Sequence, residues 1–354
     1  MARLSARMGV TEKKQSELTS PEQHAARLTQ TRNLKMARSA HAYVRGNTVK
    51  FYDWLEASAG KVPEGPPVWI CGDCHLGNLG PLADTKGRVA IQIRDLDQTV
   101  IGNPAHDLIR LGLSLASAAR GSNLPGVTTA RILEQLVSGY EKALSDDLER
   151  GKDKIYRPKR IQVLLEHSVR RRWRQLALER LEWVTPVLPV GKRFWALMPE
   201  ERTALVQLFE REPIRALVTG LQGRESSDAV TMVDAAYWIK GCSSLGRLRC
   251  AVMLRVGEGK GSALCLVDLK EGVTAAAPRA EGVAMPRDNS VRVVTGAKAL
   301  SPNLGDRMIA ARFLDTGVVL RELLPQDLKS ARRKKPSSKS KSIHTCSGMR
   351  AATL

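Results

Sequence analysis

The sequence predicts an α+β protein in which a mainly helical half precedes a mainly β half. Apolar residues recur at helical spacing from Leu34 to Leu55, and again in two segments that follow residue 103. From Ala229 onwards, apolar runs alternate with glycine-containing turns, as in AYWIKGCSSLGRLRCAVMLRV and SALCLVDLKEG. These patterns predict four regions: a loosely ordered polar segment at 1–30, a mainly helical region at 31–225, a β-rich region at 226–328 and a basic disordered tail at 329–354.

Length and charge set broad limits on function. The chain has 354 residues, 43% of them hydrophobic, which is enough for two domains or lobes. A formal net charge of +20 favours encounters with polyanions such as nucleic acid, acidic membrane surfaces or phosphorylated small molecules. Part of this charge lies in ARRKKPSSKSK at 331–341, which favours a solvated tail and makes this tail the only candidate for nucleic-acid binding.

The sequence predicts neither a signal peptide nor a membrane span. The basic N-terminus lacks the apolar segment of a signal peptide, and no stretch has the apolar length of a membrane span. Six cysteines in so long a chain suit a reducing compartment rather than a disulfide framework. We therefore expect a cytoplasmic protein without a membrane span, and the sequence leaves its oligomeric state open.

Short strands and polar loops are predicted between residues 68 and 103. VWIC at 68–71 is a β-prone run that leads into the glycine-bearing loop GDCHLGN. LGPLA, the turn DTKG and RVAIQIR at 88–94 then predict a hairpin. The second strand of this hairpin has its apolar residues on one face at period two and ends directly at Asp95.

Helices are predicted on both sides of a GSNLPG break. Asn103 followed by Pro104 is typical of an N-cap with proline at the first helical position. A second helix is expected to continue to Leu144, and a very basic helix is expected from Val163 to Trp183. In the β-rich half, RMIAARFL and GVVLREL predict strands around a DTG turn, after a less regular stretch.

The residues before and after the hairpin suit phosphoryl transfer. That reaction needs a carboxylate to orient the acceptor, oxygen ligands for magnesium, and donors over the nucleotide phosphates. Asp73 precedes Asn78 by five residues, which is the offset of the kinase catalytic loop, and Asp95 offers a second carboxylate. We predict that all three meet in one cleft, because their loops follow neighbouring strands at the same sheet edge.

Two motifs strengthen this hypothesis by resemblance. GDCHLGN followed by RDLDQTVIGNPAHDL resembles the paired signature of aminoglycoside phosphotransferases and choline kinases. The resemblance implies that Asp73 is the catalytic aspartate and that Asn78 and Asp95 are Mg²⁺ ligands. It also implies that Asp107, at a helix start, braces the loop, and His75 is expected to brace the loop as well.

A second resemblance covers more of the chain. KMARSAHAYVRG, GDCHLGNLG, GCSSLGRLR, CLVDLKEG and VLRELLPQDLKS, in this order, resemble the bacterial family called domain of unknown function 2252, which is grouped with the protein-kinase-like fold. The resemblance implies a two-lobed fold. Because the catalytic loop precedes the glycine loop, it also implies a circular permutation, with the helical catalytic lobe first and an antiparallel β nucleotide lobe second.

The same resemblance places an ATP site in the β-rich half. The implied nucleotide-binding residues are Gly241, Ser243, Ser244, Gly246 and Lys270. We expect this half to lie over the acidic cleft, with Lys270 and Asp95 reaching the same phosphate chain. The sequence offers no convincing carboxylate partner for Lys270, and Arg321 and Glu322 are expected near the hinge between the lobes.

The expected function is ATP- and Mg²⁺-dependent phosphotransfer to an unknown small-molecule or protein acceptor, with nucleotidyl transfer left open. A catalytically inactive nucleotide-binding or adaptor protein of the same fold is the alternative. More remotely, Cys71, Cys74 and His75 satisfy the C-x-x-C-H form for c-type haem attachment, and the two cysteines with His106 suggest zinc. The tail SIHTCSGMRAATL has no family pattern, which suggests a truncated or frame-shifted reading frame and leaves open whether this copy is an active enzyme.

Overall fold

A computed structural model describes residues 21–144, 163, 187–191, 193–221, 224–241, 245–259 and 262–324. Helices and strands are both abundant, so the predicted α+β class is confirmed. Residues 1–20, the tail at 329–354 and the predicted basic helix, apart from Val163, lie outside the described residues. In the described part, no helix is both long and apolar enough to cross a membrane.

Three helices precede the first strand: α1 Pro21–Met36, α2 Ala40–Gly46 and α3 Thr48–Glu56. Residues 21–30, predicted to be loosely ordered, are therefore helical. The helix-like stretch at 34–55 is not continuous, because Ser39 and Asn47 cap new helices by accepting hydrogen bonds from the backbone N–H groups of Ala42 and Lys50.

Four short strands carry the acidic loops: β1 Val68–Ile70, β2 Leu79–Ala83, β3 Val89–Ile93 and β4 Val100–Gly102. β2 and β3 form the predicted antiparallel hairpin, with Pro81 opposite Ile91. β1 pairs instead with β4. The expectation that the two acidic loops follow neighbouring strands is therefore wrong, since β1 and β3 belong to separate two-stranded sheets.

Two long helices follow, α4 Pro104–Gly121 and α5 Gly126–Ala143. The predicted cap is present: the Asn103 side chain accepts a hydrogen bond from the backbone N–H of Ala105 at 2.9 Å, and Pro104 opens the helix. α4 matters for function because its first turn carries Asp107 and its second carries Arg110.

A six-stranded antiparallel sheet forms the other large unit. Its strands are β5 Phe194–Trp195, β6 Val230–Trp238, β7 Arg249–Val256, β8 Ala263–Glu271, β9 Met308–Phe313 and β10 Thr316–Glu322, in the spatial order β5-β6-β7-β8-β10-β9. The β9–β10 hairpin matches the strands predicted around the DTG turn. β5 also belongs to this sheet, although its residues were assigned to the helical half.

Helices cover both faces of the sheet. α6 Pro199–Glu210 and α7 Glu212–Thr219 pack on one face through an apolar core that includes Phe209 and Val267. These helices therefore pack with the sheet, although their residues were predicted in the helical region at 31–225. The stretch predicted to be less regular contains α8 Asn289–Leu300, followed by α9 Pro302–Gly305. Both pack on the other face of the sheet and against the β2–β3 hairpin, sharing a core with Leu82 and Val319.

Candidate active site

The loop after β1 is held by the start of α4. The Asp107 carboxylate accepts hydrogen bonds from the backbone N–H groups of Cys71 and Gly72 at 2.6 and 3.0 Å. Gly72 has a φ of +73°, and a Cβ there would lie 2.1 Å from the Gln98 carbonyl oxygen. Only glycine therefore allows this loop to approach the loop that follows β3 so closely.

Asp73 lies at the bottom of the cleft, where it is 8% exposed. Arg110 donates two hydrogen bonds to Asp73 Oδ1, at 3.0 Å from Nε and at 2.8 Å from a terminal nitrogen. Burial raises the pKa of Asp73, and the charge of Arg110 opposes that rise. His75 is also buried, and its Nε2 lies 3.9 Å from Asp73 Oδ2.

Asn78 links the two acidic loops. Its side-chain Nδ2 donates to the backbone carbonyls of Asp73 at 3.0 Å and of Asp95 at 3.1 Å. This contact adds to the β2–β3 pairing, which places Leu79 opposite Ile93 and continues with a hydrogen bond from the Arg94 N–H to the Asn78 carbonyl at 2.8 Å. The predicted convergence of Asp73, Asn78 and Asp95 is thus present for a different physical reason.

Lys270 on β8 faces the loop after β3. Its ammonium lies 3.1 Å from Asp95 Oδ1 and also contacts Asp97 Oδ2. Partial desolvation alone would raise the pKa of Asp95, but the charges of Lys270 and Arg321 hold it below its usual range. Burial and the neighbouring Asp95 raise the pKa of Asp97 to about 6.

Asp97 was missed by the sequence analysis. It supplies a second carboxylate partner for Lys270, for which the sequence had offered none. The available signal was the spacing of Asp95 and Asp97 in RDLDQT, immediately after a predicted strand.

Arg292 on α8 was also missed. Its buried guanidinium donates to the carbonyls of Asp97 at 3.2 Å and of Val273 at 2.7 Å, and it bonds the carbonyl of Thr99 as well. One side chain thus connects the loop carrying both carboxylates with the segment that follows Lys270. No sequence pattern marked it, because it lies in the stretch predicted to be irregular.

A cavity of about 540 Å³ opens at this site. Asp73, Asn78, Asp95 and Asp97 line one part of it, and Arg32 from α1 and Arg247 line it as well. A smaller cavity of about 20 Å³ adjoins it, shares Asp95 and Asp97, and is lined by Lys270.

The predicted glycine loop is described only at its ends. Gly241 and Gly246 have φ values of +92° and +95°, and Ser243 and Ser244 lie outside the described residues. Lys35 of α1 donates from its ammonium to the Gly241 carbonyl at 3.1 Å. This segment therefore lies beside α1, and Arg247, just after Gly246, lines the larger cavity.

Comparison with known proteins identifies the family. Residues 24–349 match the family described as "Uncharacterized protein conserved in bacteria (DUF2252)". The chain belongs to the DUF2252 family. No curated protein and no solved structure gives a match.

A second ionic group in this DUF2252 chain lies beside Lys270. Asp268 accepts a hydrogen bond from Arg249 Nε at 2.8 Å, and Arg321 lies 3.3 Å from its other carboxylate oxygen. Opposite charges hold the pKa of Asp268 below its usual range, although burial opposes this. Glu322, next to Arg321, is buried and forms two hydrogen bonds with Arg224, at 2.6 and 2.8 Å.

The cysteines of the DUF2252 chain lie beneath the site rather than in its cavity. Cys71 and Cys74 are buried free thiols, and Cys71 Sγ lies 3.7 Å from the Asp95 carbonyl oxygen. Cys74 lines a separate cavity of about 470 Å³. In the part of the chain that the structure describes, no three or more His, Cys, Asp or Glu side chains cluster as a metal site.

Proposed function

We propose that this protein is a kinase-like phosphotransferase that uses ATP and Mg²⁺, with a two-lobed, circularly permuted kinase-like fold. One observation carries the proposal: the Lys270 ammonium lies 3.1 Å from Asp95 Oδ1, although 175 positions separate the two residues. Asp95 also lines the cavity that holds Asp73 and Asn78. A nucleotide held between a cation on the sheet and carboxylates on the loops needs this arrangement.

The donor set suits magnesium. Mg²⁺ prefers hard oxygen ligands and binds through one or two carboxylates together with substrate phosphates. Asp95 and Asn78 provide a carboxylate and an amide oxygen on adjoining loops, and Asp97 adds a second carboxylate to the same cavity. Asn78 uses its Nδ2 on two backbone carbonyls, so its amide oxygen remains for a cation. Bound Mg²⁺ would neutralise charge on the transferred phosphoryl group.

The roles of the chain's own residues follow from their surroundings. Asp73 accepts the proton of the acceptor hydroxyl, and Arg110 fixes the carboxylate through Oδ1, which directs Oδ2 to the acceptor. Lys270 pairs with the nucleotide phosphates, and the glycine segment that holds Gly241, Ser243, Ser244 and Gly246 is assigned to the same phosphates. Asp107 and His75 hold the catalytic loop in place. Transfer of the nucleotidyl group to the same acceptor, in place of the phosphoryl group, is the alternative reaction.

The deciding experiment uses the full chain with ATP and Mg²⁺. We expect ATP and Mg²⁺ together to raise the thermal unfolding midpoint, and ATP consumption to be measurable by coupled assay. Asp95→Ala should lose both effects. Asp73→Asn should keep nucleotide binding and lose turnover, since it changes the base and not the nucleotide site.

The matched control is Asp315→Asn, which alters an exposed carboxylate on the turn between β9 and β10. It should behave as the wild type in both assays. A thermal shift without turnover in the wild type would favour the alternative, a nucleotide-binding or adaptor protein. If ATP and Mg²⁺ give no shift at all, the proposal fails.

A further inference from the structure

Arg32 and Arg247 are cations of the large cavity that the phosphotransfer chemistry does not use. Arg32 projects from α1, and Arg247 follows the glycine segment between β6 and β7. Arg32 Nε is buried, and among the described residues it has no hydrogen-bond partner. A buried guanidinium donor without a partner is unfavourable, so its presence at a cavity points to a ligand oxygen.

The carboxylates of the cavity already contact cations of the protein. Asp73 is matched by Arg110 at 2.8 Å, and Asp95 and Asp97 are both in contact with Lys270. Within the described residues, neither Arg32 nor Arg247 has an ion-pair partner. These two arginines therefore favour an anion, whereas Asp95 and Asp97, with two charges against the single charge of Lys270, favour a cation.

The two arginines are held in position by the packing of α1. Leu28 of α1 shares a buried apolar cluster with Tyr237 and Leu245. The Tyr237 hydroxyl donates to the Arg247 carbonyl oxygen at 2.5 Å, and Lys35 bonds Gly241. α1 and the segment that ends at Arg247 thus form one packed unit, and this unit fixes one wall of the cavity.

Lys270 and the two arginines line different spaces. Lys270 lines the small cavity, whereas Arg32 and Arg247 line the large one, and the carboxylates of Asp95 and Asp97 line both. The small cavity has room for about one water, so nucleotide phosphates that pair with Lys270 would extend past Asp95 and Asp97 into the large cavity, where the arginines remain for the second substrate. Asp73, the proposed base, lines the same cavity as the arginines.

We propose that Arg32 and Arg247 form an anion subsite that binds a phosphate or carboxylate group of the acceptor. This inference rests on the proposed function for its assignment to the acceptor. It gives the acceptor a chemical class: a small molecule with a hydroxyl group that reaches Asp73 and an anionic group that pairs with the arginines. Guanidinium groups suit such ligands because they form paired, charge-assisted hydrogen bonds with carboxylate and phosphate oxygens.

The test measures binding of two probes to the full chain by calorimetry at constant ionic strength. Inorganic phosphate reports on the anion subsite, and Mg²⁺ with a non-hydrolysable ATP analogue reports on the nucleotide site. We expect Arg32→Gln and Arg247→Gln each to weaken phosphate binding about tenfold, the scale of a lost charge-assisted hydrogen bond. Both variants should bind the nucleotide analogue as the wild type does.

Three further variants serve as controls. Arg131→Gln, at an exposed position on α5, should bind phosphate as the wild type does. Arg32→Lys should recover part of the lost affinity because it keeps the charge, and circular dichroism melts will show that each variant folds. Lys270→Met should lose the nucleotide analogue and keep phosphate.

The outcomes separate the two ideas. Unchanged phosphate affinity in both arginine variants, or no phosphate binding by the wild type, overturns the subsite. Loss of the nucleotide analogue in the arginine variants would also overturn it, because the arginines would then serve the nucleotide phosphates. Phosphate binding that depends on the arginines, in a protein that binds no nucleotide, would support the subsite and contradict the proposed phosphotransferase.

Discussion

Asp268 and Lys270 lie two residues apart on one face of β8, yet Asp268 belongs to a buried ionic group and Lys270 to one that is open to the cavity. Asp268 is 1% exposed and has two arginine partners, Arg249 and Arg321. Lys270 contacts Asp95, whose side chain is 44% exposed and lines the cavity. The Asp268 carboxylate is buried against arginine side chains and supports the fold. The Asp95 carboxylate keeps accessible surface that a ligand can reach.

The largest loss of stability is expected from a substitution in the buried group around Asp268. Asp268→Asn leaves the buried Arg249 without its charge partner, so the free energy of unfolding should fall by about 3–5 kcal/mol. Urea denaturation followed by circular dichroism measures this loss. Asp315→Asn, the exposed control, should change stability by less than about 0.5 kcal/mol. A loss below about 1 kcal/mol for Asp268→Asn would show that this pair does not support the fold.

Asp107 is a buried carboxylate that accepts hydrogen bonds from neutral backbone N–H groups, so its effect on stability should depend on pH. Burial raises the pKa of Asp107 from 3.8 to about 6, against the two backbone N–H bonds that it accepts. A raised folded-state pKa gives stability that is complete below the unfolded pKa and is lost as the pH rises through the folded value. This group should therefore remove about 2–3 kcal/mol of stability between about pH 4 and pH 7.

Asp107→Asn tests that sign, since asparagine does not titrate. Unfolding free energies measured from pH 4 to pH 7 should fall with pH in the wild type by more than in the variant. The difference between the two profiles isolates Asp107 from other titrating groups. Parallel profiles would mean that its pKa is the same in both states.

Arg292 is buried, as Asp268 is, but it donates hydrogen bonds to the loop that carries the accessible carboxylates Asp95 and Asp97. Arg292→Lys cannot reproduce its three carbonyl contacts, and we expect a loss of about 1–2 kcal/mol in unfolding free energy. Hydrogen exchange should become faster at residues 95–99. Arg312→Lys, which changes an exposed arginine bonded to the Asp315 carbonyl at 2.8 Å, is the matched control. Unchanged exchange at 95–99 would show that α8 does not order this loop.

The smallest stability effect should come from the accessible group. Lys270→Met should cost at most about 1 kcal/mol, because water and counterions reach Asp95. It should nevertheless abolish the thermal shift produced by ATP and Mg²⁺. Lys298→Met, at an exposed position on α8, should keep that shift. A large stability loss for Lys270→Met, with ligand binding intact, would show that Lys270 supports the fold rather than binding a ligand.

Local patterns were sufficient for most of the helices and strands. The hairpin that ends at Asp95 and the cap at Asn103 follow from period-two apolar patterning and capping chemistry within a few residues. The strand that carries Lys270 follows from a continuous apolar run after a glycine-containing turn. α8 was missed, because Gly296 and the β-branched residues before it weaken a helical pattern that tertiary packing stabilises.

The sequence by itself determined the α+β class, the order of the motifs and the residue types available for chemistry, because periodicity, caps and turns act over short distances. Only the tertiary structure decided that Asn78 joins the two acidic loops, that Asp97 is a second partner of Lys270, and that α1 places Arg32 in the cavity. These contacts join positions far apart in the chain. Their geometry depends on how helices and sheets pack, and local propensity does not encode it.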